Sequence, residues 1–99
     1  MRRGTTPTLK IRIKGVDLSE LENIYVTIKQ SQKEITKTGY EITVDGDMLY
    51  VSLSQEDTLV FASSCAWVQM RATTKDGLAV ASNIRMIKIE DVLKDGVIT

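Results

Sequence analysis

Tyr40-Glu41-Ile42-Thr43-Val44-Asp45-Gly46-Asp47-Met48-Leu49-Tyr50-Val51-Ser52-Leu53 is the stretch on which the fold turns. Tyr40, Ile42 and Val44 alternate with polar residues, and Leu49, Val51 and Leu53 do so again after the turn. Apolar residues at every second position press one side of a strand against a core and leave the other wet. Asp45-Gly46 between the two runs marks a tight hairpin, because glycine takes positive φ without steric penalty.

The same period of two extends in both directions. Upstream, Leu9, Ile11 and Ile13 alternate with Lys10, Arg12 and Lys14, and Ile24, Val26 and Ile28 with Tyr25, Thr27 and Lys29. Lys33 to Thr38 is expected to pair back on the Ile24 strand across the polar Gln30-Ser31-Gln32 turn. Downstream, Cys65 to Thr74 carries Ala66, Val68, Met70 and Ala72 on one parity; Lys75-Asp76-Gly77 turns the chain, and Leu78 to Ile89 returns it. In that return the apolar phase changes, with Leu78, Val80, Ile84 and Met86 on one parity and Ile87 and Ile89 on the other. A β-bulge near Ser82–Met86, or a bend toward another sheet, accounts for the change.

Two connectors break the alternation. Val16 to Glu22 reads as one helical turn capped by Asp17 or Ser19, and Ser54 to Leu59 as another. Ser54 and Asp57 have the spacing of a capping box, with Asp in place of the usual Glu or Gln. About seven short strands with turn signals every 8–12 residues predict an all-β fold, an antiparallel immunoglobulin-like β-sandwich with one short helical turn. Its domain is expected over residues 9–90, with a flexible N-terminal arm at 1–8 and a C-terminal tail at 91–99.

Composition narrows the function. The 99 residues are 42% hydrophobic and 26% charged, which is globular rather than disordered composition and enough for one core. Thirteen bases balance thirteen acids, so a nucleic-acid or membrane binder held by bulk charge is not expected. With no histidine, Ser-His-Asp and Cys-His machinery and His-bearing zinc sites cannot be built. Cys65 is the only cysteine and is read as a buried structural thiol. No Gly-rich phosphate loop occurs, and Asp45-Gly46-Asp47 lacks the rest of a calcium-loop spacing. No enzyme, metal or cofactor is expected. No signal-peptide h-region or membrane-length apolar run is present, so the expected location is the cytoplasm unless the chain leaves within a larger particle.

Contact surfaces are the remaining candidates. Residues 1–14 hold Arg2, Arg3, Lys10, Arg12 and Lys14 without an acid, and residues 40–57 hold Glu41, Asp45, Asp47, Glu56 and Asp57 without a base. Such zones either neutralise each other within one molecule or invite head-to-tail contact between copies. Trp67 and Arg71 fall on the parity opposite Val68 and Met70, where they form an outward pair of hot-spot residue types unless loops cover the indole. Val97 and Ile98 lie in the tail and either fold back or dock on a neighbour. The candidate interface is therefore Arg2, Arg3, Arg12, Trp67, Arg71, Val97 and Ile98.

Four segments carry a resemblance: Met1-Arg2-Arg3-Gly4-Thr5-Thr6-Pro7-Thr8, Asn23-Ile24-Tyr25-Val26-Thr27-Ile28-Lys29-Gln30, Leu53-Ser54-Gln55-Glu56-Asp57-Thr58-Leu59 and Leu93-Lys94-Asp95-Gly96-Val97-Ile98. Together they resemble small uncharacterised proteins encoded in phages and prophages of gut Firmicutes, over nearly the whole chain. The chain also looks distantly like the immunoglobulin-like N-terminal domain of phage baseplate upper proteins. The resemblance implies a virion, tail or baseplate-associated structural or accessory protein that works through protein partners, by self-association or on other virion proteins. Two alternatives stand beside it. One is a carbohydrate or host-surface binder using Trp67 with Gln69, Arg71 and either Tyr25 or Tyr50. The other is a phage regulator that binds a host protein by a sheet edge.

Overall fold

A computed structural model describes residues 1–99. Alternation produces eight strands: β1 (Thr8–Arg12), β2 (Leu21–Gln30), β3 (Lys33–Thr38), β4 (Ile42–Asp45), β5 (Met48–Ser52), β6 (Cys65–Thr74), β7 (Ala79–Ala81) and β8 (Arg85–Lys88). A single short helix, α1 (Gln55–Leu59), joins β5 to β6. All strand pairs are antiparallel and form two sheets. One has the order β1-β5-β4; the other has the order β3-β2-β6-β7, with β8 following β7 along the same side of β6.

The inner faces of the two sheets share one core. Ile11, Leu49 and Val51 come from the first sheet, and Val26, Ile28, Ala66, Val68, Met70 and Ala72 from the second. Leu18, Leu53, Phe61 and Ile89 close its ends. These are the inward parities that the alternation predicts. At the edge, burial weakens: Ile42 is half-buried, Val44 is 40% exposed, and Tyr40 lies outside β4 in a 3₁₀ turn with its ring in solvent. An edge strand has a neighbour on one side only, so less of its inward face is covered.

The tight turns follow the hairpin code with one refinement. Asp45 pairs with Met48, so the loop residues are Gly46 and Asp47 rather than Asp45 and Gly46. Gly46 has φ +61°, which places the positive angle at the first loop position, the pattern of a type II′ turn. The β2–β3 hairpin has the same two-residue form, but there Ser31 takes φ +54° and is the one non-glycine residue at positive φ. An L-residue is strained at that angle and glycine is not.

The phase change after Leu78 is a one-residue slip. Arg71 pairs with Ala81, but Val68 pairs with Arg85, so one extra residue enters between β7 and β8. Ser82 fills the break: its N–H donates to the Met70 carbonyl (2.9 Å) and its Oγ accepts from the Met70 N–H (3.0 Å). Val80 therefore packs inward, Ile84 and Met86 turn outward, and Ile87 and Ile89 return to the core side.

Residues 1–8 are not a free arm. Arg2 forms a parallel bridge with Glu90; Arg3 N–H donates to the Glu90 carbonyl, and Glu90 N–H to that of Met1, both at 2.8 Å. Thr58 Oγ1 donates to the Thr5 carbonyl (3.0 Å) and Leu53 N–H to that of Pro7 (3.0 Å). The physical reason is that the chain beyond β8 offers backbone groups that the N-terminal segment can satisfy. Gly4, at φ +72°, makes the turn between these contacts, with Leu59 and Val92 close by.

Two mutations test this account. Val68→Asp places an unpaired charge at a buried inward position, which costs several kcal/mol against a total stability of about 5–15; the cooperative melt is expected to vanish. Ser31→Gly relieves the left-handed strain and is expected to add about 0.5 kcal/mol, read as a higher urea midpoint at unchanged slope.

Candidate contact surfaces

The basic zone is paired mostly with acids of the tail, and only Arg12 reaches the acidic zone at residues 40–57. Arg2 reaches Glu90 Oε2 at 2.9 Å and the Asp91 carbonyl at 2.6 Å. Arg3, 17% exposed, donates through Nε to the Phe61 carbonyl (2.6 Å) and through Nη1 to Asp91 Oδ1 (2.7 Å), with Asp95 at 3.5 Å. Its guanidinium thus ties the N-terminal segment, the loop after α1 and the tail. The hydrogen bond to Asp91 holds the Arg3 guanidinium above its ordinary range and the Asp91 carboxyl below its own. Arg12 pairs with Asp47 at 3.3 Å, an exposed contact that contributes little to stability.

On the tail, Gln55 of α1 behaves as a detached piece of backbone. Its Nε2 donates to the Ile98 carbonyl (3.0 Å) and its Oε1 accepts from the Ile98 N–H (2.9 Å). The tail therefore folds back, while the Val97 and Ile98 side chains stay about half exposed. Gln30 does the same inside the protein: its amide exchanges two hydrogen bonds with the backbone of Ala62 (2.8 and 2.9 Å) and reaches the Cys65 carbonyl at 3.4 Å. A buried amide satisfied in this way clamps the loop before β6 to the end of β2.

The acidic zone loses two more of its charges to a cation that parity alone makes conspicuous. Lys37 stands opposite Val26, on the inward face of β3 with Ile35, and is 15% exposed. An inward ammonium needs partners. It donates to Asp57 Oδ2 at 2.7 Å and to Glu41 Oε2 at 2.9 Å. Asp57 also closes the helix cap, accepting from the Ser54 N–H (2.8 Å) while Ser54 Oγ accepts from the Asp57 N–H (3.1 Å). Asp at the third helical position thus serves where Glu or Gln is usual. The hydrogen bond to Asp57 raises the Lys37 ammonium, and that from Lys37 lowers the Glu41 carboxyl. Burial pushes the Asp57 carboxyl up, but the hydrogen bonds from Lys37 and Ser54 outweigh it and leave it below its ordinary value. Each shift favours the charged form, which is what a structural ion cluster does; none brings a group toward neutral pH for proton transfer.

The outer face of the larger sheet is different. Trp67 is 47% exposed, and across the strands it stands beside Lys29 and Met86, with Ile84 near. Lys29, Ser31, Trp67 and Ile84 line a shallow depression of about 300 Å³. Arg71 is on the same face four residues along β6, beyond Gln69, and belongs to a separate depression of about 330 Å³ with Tyr25, Thr27, Thr36, Thr73 and Ala79. Trp67 and Arg71 are therefore not brought together as a stacked pair. Tyr50 pairs with Lys10 and Thr43 in the other sheet and cannot join either group.

Of the expected contact residues, Arg2, Arg3 and Arg12 have intramolecular partners, Ile98 is tied by its backbone, and Trp67 and Arg71 face solvent. The reading of the sequence missed Lys37, Gln30 and Gln55. Only Lys37 left a signal, a charge on the parity of Ile35. No group of three or more Cys, Asp or Glu side chains is arranged to hold a metal ion, and no helix is long and apolar enough to cross a membrane.

The partners of Lys37 and Arg3 contribute to the acid response. Asp57, Glu41 and Asp91 have folded values below their ordinary ones, 3.8 for Asp and 4.5 for Glu, so their contribution is complete above those values and drains as pH falls through the folded ones. Lys37 lies above its ordinary 10.5, so its contribution is held below that pH and lost above it. Asp57→Asn keeps an acceptor for the Ser54 N–H but removes the charge. It is expected to melt lower at pH 7 and to show a flatter decline than the parent chain as pH falls below 3.8. Comparison with protein-family models, with curated proteins and with solved structures finds no match to this chain.

Proposed function

We propose that the chain is a non-enzymatic contact module of immunoglobulin-like fold, a structural or accessory component of a phage particle that docks on another protein through the outer face of the β3-β2-β6-β7/β8 sheet. The observation that carries the contact reading is the apolar row of Trp67, Ile84 and Met86, 47%, 61% and 62% exposed on a face whose nearby outward residues include Lys29, Glu34, Gln69 and Lys88. A large aromatic flanked by apolar neighbours and rimmed by polar groups has the composition of a protein-binding hot spot.

Strand order supports the immunoglobulin-like part. With β7 and β8 taken as one broken strand, β1-β5-β4 and β3-β2-β6-β7/β8 correspond to B-E-D and C′-C-F-G of such a sandwich, and α1 lies in the connection between E and F. The phage setting comes from the resemblance of the four quoted segments. A carbohydrate platform has less support, because Trp67 and Tyr25 serve separate depressions and Tyr50 lies on the other sheet.

The test is recovery of the tagged chain with particle proteins from a host that assembles the phage. Trp67→Ala is expected to keep its melting behaviour and to weaken capture by about thirtyfold, the effect of losing about 2 kcal/mol at a hot spot. A chain that binds no particle protein, or one whose capture ignores position 67, contradicts the proposal.

A further inference from the structure

The two edges of the β1-β5-β4 sheet are both open, and they are unlike. Pro7 and Ile13 turn their backbone groups toward β5 and its hairpin: the Pro7 carbonyl accepts from Leu53 N–H, and Ile13 N–H donates to the Asp47 carbonyl. In an extended strand the direction alternates, so Leu9 and Ile11 also face β5, and Thr8, Lys10 and Arg12 present theirs to the free edge. Only the Arg12 carbonyl is taken, by Arg85 Nη2 at 2.7 Å. On β4, the two-residue loop makes Asp45 and Met48 a hydrogen-bonded pair, so Thr43 faces β5 and Val44 and Ile42 face outward. The Ile42 N–H is used locally by the Gly39 carbonyl. The Ile42 carbonyl and both backbone groups of Val44 are left.

Sheet edges are commonly protected by inward charges, breaks or coverings. The larger sheet has such devices. Lys33 and Lys37 point inward along β3, the opposite edge is broken at Ser82, and Met1–Arg3 cover its end at Glu90. The smaller sheet has none on its inward face: β1 offers Leu9 and Ile11 there, and β4 offers Ile42 and the 40% exposed Val44. Its outward face is charged with opposite signs, Lys10 and Arg12 on β1 and Asp45 on β4. The residues between them on β5, Met48, Tyr50 and Ser52, are uncharged.

We propose that these edges join: β4 of one copy adds to β1 of the next in parallel, extending the small sheet from molecule to molecule. In the three-stranded sheet β1 and β4 already run the same way, because each is antiparallel to β5, so repetition by translation makes a parallel pair. With Val44 set beside Ile11 of the next copy, three open groups find partners. Val44 N–H donates to the Lys10 carbonyl, Arg12 N–H to the Val44 carbonyl, and Lys10 N–H to the Ile42 carbonyl. The same register lays Asp45 beside the guanidinium of Arg12 and covers the exposed side of Val44. Joining β1 to β1 or β4 to β4 would oppose like charges, which selects the head-to-tail arrangement. A heterologous contact of this kind does not stop at two copies unless the rotation closes a ring.

This rests on the reading of the chain as a contact module and adds a second copy as partner, on a surface separate from Trp67. Sedimentation velocity over about 10 μM to 1 mM protein tests it, at about 20 mM and 500 mM salt. The average mass of the parent chain is expected to rise with concentration at low salt and to fall toward the monomer at high salt. Asp45→Lys and Arg12→Glu each set like charges across the contact, and each alone is expected to associate at least about tenfold more weakly. An equimolar mixture of the two is expected to regain association, because every β4 then finds an oppositely charged β1. Arg12 pairs with Asp47 only at the exposed surface, so both variants are expected to keep a cooperative melt; if Arg12→Glu does not, Lys10→Glu replaces it. A parent chain that stays monomeric throughout, single variants that associate like the parent, or a mixture that fails to recover overturns the proposal. Trp67→Ala separates the two surfaces: it is expected to self-associate normally, and loss of association in that variant moves the contact to the other face and overturns the edge assignment.

Discussion

β6 is hydrogen-bonded along both sides, to β2 on one and to β7 and β8 on the other, and it buries Ala66, Val68, Met70 and Ala72 on a single face. Because neighbouring strands are held at fixed spacing and alternate side chains must point the same way, this one buried stripe sets the phase of the whole sheet. Ile24, Val26 and Ile28 follow on β2, and Ile35 on β3. The opposite parity is then forced outward, which is why Trp67 stands in solvent although large aromatics are usually covered. The exposed indole is a consequence of the stripe rather than a separate feature.

The same constraint explains where polar groups enter the interior. Lys37 lies on the inward parity of β3 and is stabilised there only because Asp57 and Glu41 come to it from α1 and the turn before β4. Gln30 lies on the inward parity of β2 and is satisfied by the backbone of Ala62. Thr58, fully buried in α1, donates to the Thr5 carbonyl. The first two contacts join a strand to a connector, and the third joins a connector to the N-terminal segment. Apolar burial chooses the sheets; polar side chains that mimic or bind backbone fasten the loops to them.

Charge follows a different logic. The segregation along the chain is real, but folding brings Arg2 and Arg3 to acids of the tail and Arg12 to Asp47, and Lys37 takes up Glu41 and Asp57. Asp45 and Lys10 remain free of such pairs, at opposite edges of the smaller sheet. Few surface pairs contribute much to stability, so their value lies in deciding which surfaces repel and which attract. After internal pairing, two surfaces stand out: the apolar row at Trp67 and the unlike edges of β1 and β4.

Sequence alone determined the all-β architecture, the hairpin at Gly46, the inward parity of β1, β2, β5 and β6, the cap at Ser54 and Asp57, and the slip near Ser82. All of these depend on residues a few positions apart, where alternation and turn chemistry act. Tertiary structure alone decided that residues 1–8 are bound to Glu90 and Thr58, that Lys37 meets Asp57, that Gln55 holds Ile98, and that Trp67 and Arg71 serve different depressions. Some of those partners, Arg2 and Glu90 among them, are 88 residues apart, and no local period encodes them. They exist only once two sheets have enclosed one core and carried distant backbone and side-chain groups within hydrogen-bonding reach.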